Sequence, residues 1–200
     1  MTRIKLFTAL IVLSVAAIVE AFSLSPRAFA SPSGKLTYAP ELVIPEPKDP
    51  TAILLLANAV QTLSERVRTS QANAAFVDGS LTALETFCNE QSTAEGSFPG
   101  PVPVIYCGKQ NSDFQAIAGT GVKAVLVPID WQTGLSTEFT NICKAVYDAE
   151  MDVVPELICA PDSSASVESM VEAVTEALER PPVGIVLTIN PVVDEVDDNE

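Results

Sequence analysis

Apolar positions in this chain of 200 residues form repeats at helical spacing and short continuous runs. The two patterns alternate from about residue 50 onward. The first run predicts a helix from Pro50 to Thr69, because Asp49 can cap it and Pro50 suits its first position. Apolar side chains then repeat at helical spacing. They are Ile53, Leu56, Val60, Leu63 and Val67.

The rest of the chain alternates short Val/Ile-rich runs with amphipathic stretches. The runs predict five strands, at Ala74–Val77, Val102–Cys107, Val122–Ile129, Asp152–Ile158 and Val183–Asn190. The amphipathic stretches predict helices at Ser80–Asn89, Ser112–Ala118, Ser136–Ala149 and Ser164–Glu179. Continuous apolar runs are typical of parallel strands that are covered on both faces. The βα repeat therefore predicts a parallel sheet with right-handed crossovers.

Two architectures fit this order of elements. The first is an α/β fold with a parallel sheet of about five βα units that resembles part of a TIM barrel. The alternative is a small doubly wound open sheet, which chain length favours, because a closed barrel takes about 250 residues. A dinucleotide-binding sheet is not expected, since no GxGxxG follows the first strand.

The amino terminus has the pattern of a signal peptide over residues 1–21. Arg3 and Lys5 precede an apolar run from Leu6 to Val19, and Ala21 ends a small-residue cleavage pattern. A retained membrane anchor is the alternative, but this run is shorter than the roughly 20 residues that span a bilayer.

Residues 22–40 have the composition of a transit peptide. The segment is rich in hydroxyl side chains, contains Arg27 and Lys35, and has no acidic residue from 22 to 40. Together with the signal peptide it resembles the bipartite plastid presequence of algae with secondary plastids. We therefore expect a plastid protein. The alternative is a secreted protein that is cleaved after Ala30.

Prolines and acids delimit the remaining segments. Four prolines between Pro40 and Pro50 predict a linker over residues 41–49 without a strand. The α/β domain then covers residues 50–193, and residues 194–200 form an acidic tail. We expect the tail to protect an exposed sheet edge. A divalent-cation site is the alternative, at Asp194, Glu195, Asp197 and Asp198.

Composition excludes several kinds of chemistry. The chain has 26 acidic and 11 basic residues, a net charge of −15, and its bases are scattered, so nucleic-acid binding is not expected. Histidine is absent, which removes the usual general base of a triad and the commonest zinc ligand. We expect no cofactor and no metal site.

The four cysteines lack the CxxC spacing of zinc or redox motifs. Cys88 and Cys143 lie on apolar helix faces and are expected in the core. Cys107 and Cys159 end the third and fifth strands. With the fourth strand between them they would lie about 9–10 Å apart, too far for a disulfide, so both are expected to be reduced.

From Gly79 to Asn190 the chain resembles indole-3-glycerol phosphate synthase, a (β/α)8-barrel enzyme of tryptophan biosynthesis. Five short segments carry the resemblance in the family's order: Gly79–Ser80, Pro103–Ile105, Gly121–Val127, Met151–Leu157 and Leu187–Asn190. The resemblance implies a catalytic role for Glu156 and a site role for Asn190.

Several departures weigh against synthase activity. The family's general-acid lysine at the end of strand three is replaced by Cys107, and Lys109 lies two residues further along. A proline-broken segment stands where the family's first strand, with its second essential lysine, is expected. Pro191 and Val192 replace the Asn and Arg that follow Asn190 in the family, and the phosphate-binding strands seven and eight are not expected.

Glu156 and Asn190 also stand near the carboxyl ends of predicted parallel strands, where α/β folds bind ligands. A carboxylate and an amide could orient a small polar molecule there. The alternative is structural, with Glu156 facing solvent and Asn190 capping a turn. Asp130 and Trp131, after the fourth strand, form either a lip over a pocket or simple loop packing.

Two hypotheses for function follow. The first is a degenerate, non-catalytic member of this barrel class that binds a protein partner, or itself, through open sheet edges. The second is an active carbon–carbon lyase that forms indole-3-glycerol phosphate, with Glu156, Asn190 and Lys109 as its catalytic residues.

Overall fold

A computed structural model describes residues 38–46, 49–108, 113–131, 134–159 and 166–189. The strands of this part of the chain are β1 Glu41–Ile44, β2 Ala75–Gly79, β3 Val104–Tyr106, β4 Ala124–Asp130, β5 Asp152–Cys159 and β6 Val186–Ile189. The helices are α1 Pro50–Thr69, α2 Leu81–Ser92, α3 Phe114–Gly119, α4 Thr137–Asp148 and α5 Val167–Ala177. The predicted signal peptide, the transit segment up to residue 37, Lys109, Asn190 and the acidic tail lie outside the described residues.

All six strands belong to one parallel sheet with the order β1-β2-β3-β4-β5-β6. Each crossover moves one strand in the same direction, so right-handed connections place every helix on the same face of the sheet. The sheet curls into a half-barrel with the helices outside. The prediction of a partial barrel is confirmed. The doubly wound alternative is wrong, because it requires a reversal of the strand order.

Apolar side chains form a separate core on each face of the sheet. The larger core, between the sheet and the helices, includes Val77, Leu157 and the α2 residue Phe87. The smaller core covers the concave face and consists of strand residues, chiefly Phe76, Ile105, Ala124, Val154 and Val186. Side chains along a strand alternate between the two faces. A strand residue two positions before or after a member of the smaller core therefore also lies on the concave face.

A short strand stands where the sequence predicted a linker. Residues Glu41–Ile44 pair in parallel with Phe76–Gly79, so the predictions of a linker over 41–49 and of a missing first strand are wrong for this stretch. Pro40 and Pro45 flank the strand rather than interrupt it, and edge strands tolerate prolines. Ile44 is buried in the larger core, which stabilises the pairing.

Other boundaries differ by a few residues. β3 begins at Val104 rather than Val102 and β6 at Val186 rather than Val183. Pro103, directly before β3, has no N–H for a ladder bond. Three of the helices after α1 begin after a serine whose side chain accepts a backbone N–H, as N-caps do; these caps are Ser80, Ser136 and Ser166.

Two prolines lie inside central strands, which usually exclude them. Pro128 of β4 pairs with Glu156, and Pro155 of β5 pairs with Val127. Neither proline has an N–H, so each removes one potential donor from the ladder. Burial on both faces compensates, since Val127 and Val154 are almost fully enclosed.

A buried polar clamp joins α1 and α2. The Gln91 amide nitrogen donates to the Ser64 hydroxyl at 2.9 Å and to the Ser64 carbonyl at 3.3 Å. The Gln91 amide oxygen accepts the Val102 N–H at 2.9 Å. Arg68 also donates to the Ser64 hydroxyl. The clamp fixes α1 against α2 and fixes the start of the segment that leads into β3.

Candidate functional site

Glu156 is a buried carboxylate on the concave face. It lies two residues after Val154, a member of the concave core, and its neighbours in register are Pro128 and Val186. Only 7% of Glu156 is exposed. The Thr188 hydroxyl of the adjacent strand donates to Glu156 Oε1 at 2.6 Å. A carboxylate held in this way can accept further hydrogen bonds from a polar molecule in the half-barrel.

Glu156 lies on β5, three residues before the strand ends at Cys159. The alternative interpretation, in which Glu156 faces solvent, is wrong because the residue is buried. Sequence reasoning missed Thr188, although its position two residues before Asn190 could have placed it on the same strand face.

A second polar group lies at the carboxyl ends of β2 and β3. A side-chain carbon added at Gly108 would lie 2.5 Å from the Tyr106 hydroxyl oxygen and 2.6 Å from Asp78 Oδ1. The lack of a side chain at Gly108 therefore allows a phenol and a carboxylate to approach the same piece of backbone. The sequence pattern did not predict this convergence of Asp78 and Tyr106 at Gly108.

Cys107 occupies the place where the synthase resemblance requires a lysine. It follows β3, its N–H donates to the Val77 carbonyl at 3.0 Å, and it packs against the concave core. Cys159 belongs to the core on the other face, and β4 lies between the two strands. None of the four cysteines forms a disulfide. The described residues do not place Lys109 or Asn190 beside Glu156.

Asp130 is the last residue of β4, and Trp131 follows it. Asp130 is exposed, whereas Trp131 is half-buried and packs against the larger core, which lies outside the barrel. Trp131 therefore serves loop packing, as the second of the two sequence-based interpretations expects, and it does not cover the concave face.

Burial suppresses ionisation of two thiols. It raises the pKa of Cys88 from 9.0 to about 12 and that of Cys143 from 9.0 to about 12. The cause is desolvation, which disfavours the thiolate. These cysteines are therefore poor nucleophiles at neutral pH.

We expect the free energy of unfolding to fall as the pH rises above 9. The folded chain keeps both protons up to a pH of about 12, while the unfolded thiols release theirs near pH 9, so alkaline pH favours the unfolded state. Each thiol should contribute a loss of roughly 1 kcal/mol at pH 10. Urea denaturation at pH 8 and pH 10 measures this loss. The Cys88→Ala/Cys143→Ala variant should show a shallower dependence, and an unchanged slope would contradict the assignment.

An apolar groove runs along the edge of the sheet between β1 and α1, and we call it the β1–α1 groove. Its volume is about 460 Å³, and its lining includes Val43, Leu55, Ala59 and Leu63 together with the acids Glu46 and Asp49. The three α1 residues recur every four positions, so they form one stripe of the helix. Val43 is 69% exposed and Leu55 is 64% exposed.

The described residues contain no group of three potential metal-ligating side chains. None of their helices is both long enough and apolar enough to cross a bilayer.

Comparisons with known proteins assign no family. No family model matches the chain, and a search of curated proteins finds no match either.

Proposed function

We propose that this chain is a non-catalytic interaction module that binds a polypeptide at the open β1 edge of its half-barrel. The β1–α1 groove is the observation that carries the proposal. It places exposed apolar side chains next to a strand that pairs, within the described residues, only with β2. An edge strand beside an apolar surface suits the addition of a strand or helix from another chain.

The other edge of the sheet is less suited to docking. On β6, the strand at that edge, Val186 is buried, and Leu187 and Thr188 are half-buried. Three of the large exposed apolar side chains of the described chain, Val43, Ile53 and Leu55, instead belong to β1 and α1. In a closed barrel a neighbouring βα unit would cover this side of the first strand and helix.

Lyase activity is the second candidate, and Glu156 is the observation that favours it. A carboxylate on the concave face of β5 agrees with the position that the synthase resemblance implies. The presence of β1 removes the objection that the family's first strand is missing. Lys48 follows that strand in the sequence, outside the described residues. Cys107 still occupies the place of the acid on β3, and Thr188 already binds the Glu156 carboxylate. We therefore rank binding above catalysis.

The presequence pattern supports a plastid as the site of this interaction. The basic start, the apolar run and the acid-free segment precede the described domain in the order of a bipartite presequence. In this proposal the mature protein begins near residue 40 and presents the β1–α1 groove to its partner inside the plastid.

The experiment compares association of the wild-type chain with that of groove variants. We expect the mature chain to bind itself or a plastid protein, and Val43→Glu/Leu55→Glu to lose this binding, because a charge in an apolar interface is strongly unfavourable. Solution mass and pull-down from plastid extract measure the effect. Val167→Glu is the matched control, since Val167 is 45% exposed on α5.

Two results would overturn the proposal. One is a monodisperse monomer that captures nothing, or capture that the groove variant leaves unchanged. The other is turnover of a phosphorylated anthranilate derivative to an indole by the purified chain, which would favour the lyase.

A further inference from the structure

The β1–α1 groove combines an apolar floor with an acidic end. Glu46 and Asp49 line it, and no basic residue is among its described lining residues. Lys48 lies between these acids in the sequence and outside the described residues. The apolar stripe of α1 extends from these acids to Leu63. From Asp49 to Leu63 a helix rises by about 21 Å. An occupant of matching chemistry would carry apolar side chains, bases and no acid.

The segment that directly precedes the fold has this chemistry. Residues 22–37 contain four large apolar side chains, two bases and no acid. The apolar side chains are Phe22, Leu24, Phe29 and Leu36, and the bases are Arg27 and Lys35.

The same segment enters at the correct edge of the sheet. The Asn73 N–H donates to the Tyr38 carbonyl at 2.8 Å, and the Phe76 N–H donates to the Pro40 carbonyl at 2.9 Å. These bonds hold the chain beside the start of β1. Sixteen extended residues reach about 53 Å, more than twice the length of the groove, so the segment can reverse direction and follow the groove.

We propose that residues 22–37 occupy the β1–α1 groove of their own chain until the presequence is removed. The segment thereby covers the surface that the mature protein uses for binding, and processing uncovers it. This inference rests on the proposed function, because it describes regulation of the same surface.

A second copy of the chain is a poorer occupant. A second copy presents the same acidic groove and the same excess of acidic residues, and like charges at close range oppose association. The chain as a whole has a net charge of −15, which adds to this repulsion at low salt.

Photo-crosslinking within the chain from Phe22 to Glu200, which contains every described residue, tests the proposal. A photoreactive phenylalanine analogue replaces Phe29, and mass spectrometry locates the crosslinks. We expect intramolecular crosslinks to peptides containing residues 43–63. Crosslinks that join two molecules, that lie elsewhere, or that do not form would overturn the proposal.

Charge exchange provides the matched control. Arg27→Glu with Lys35→Glu should reduce the groove crosslink by about twofold to fivefold for each charge, as expected for exposed ion pairs. Adding Glu46→Lys should restore part of the yield, and this exposed site allows the change without disturbing the core. If neither set of substitutions changed the crosslink yield, charge would play no part in the contact, and the proposal would be wrong.

The result is separable from that of the proposed function. If the mature chain associates through Val43 and Leu55 but residues 22–37 never crosslink to the groove, only the inference about covering is wrong. If the segment crosslinks and the mature chain binds nothing, the groove is an intramolecular docking site and the interaction module is wrong.

Discussion

Replacing Phe87 with alanine is expected to lower the free energy of unfolding by about 3–5 kcal/mol, the usual cost of a large cavity in a core. Phe87 is 0% exposed and lies on α2, where it packs into the core between the sheet and the helices. The surrounding side chains belong to rigid strands and helices, so they can fill the cavity only in part. Urea denaturation followed by circular dichroism measures the change.

Phe98→Ala is the matched control, because it removes the same atoms from a site that is 95% exposed. Surface substitutions of this kind change stability by about 0.5 kcal/mol or less. Similar losses in the two variants would mean that α2 does not pack against the sheet as described.

Replacing Gln91 with leucine is expected to cost about 2–4 kcal/mol, because the change leaves buried polar groups without partners. The Val102 N–H loses its acceptor, and the Ser64 hydroxyl loses a donor. Gln91 is 3% exposed and Ser64 is 0% exposed, so water cannot easily replace the lost bonds. The same denaturation experiment measures the loss.

Ser64→Ala is the graded control for the clamp. It removes the hydroxyl but keeps the Ser64 carbonyl and the bond from Val102 to Gln91, so its cost should be about 1 kcal/mol. If Ser64→Ala were as destabilising as Gln91→Leu, the bond to Val102 would contribute little. If Gln91→Leu were neutral, the clamp between α1 and α2 would be wrong.

Hydrophobic periodicity was sufficient to predict α1 and the βα alternation, because each apolar run is long enough that a single exceptional residue does not change the pattern. Pro50–Thr69 is helical over the predicted range. The same reasoning missed β1, since four residues between prolines carry too short a pattern to separate from a linker. Pairing with β2 and burial of Ile44 supply the stability that the local sequence does not.

The candidate site was less accessible to prediction than the fold. The resemblance indicated Glu156 as a site residue, but its burial and its bond to Thr188 depend on which strands become neighbours. The Asp78–Tyr106 convergence at Gly108 likewise depends on three-dimensional placement. The β1–α1 groove could not be predicted either. Leu55 is exposed because no other described element packs over this part of α1, and the sequence of α1 alone does not reveal that.

The prolines inside β4 and β5 have a consequence for the chain before it folds. Both strands are short, Val-rich segments of the kind that stack into cross-β fibrils, and such fibrils are built from proline-free segments. Pro128 and Pro155 interrupt them near their middles, so a nascent chain that exposes them cannot form a continuous intermolecular ladder. The native sheet loses two donors at its centre, and the newly synthesised chain gains resistance to fibril formation.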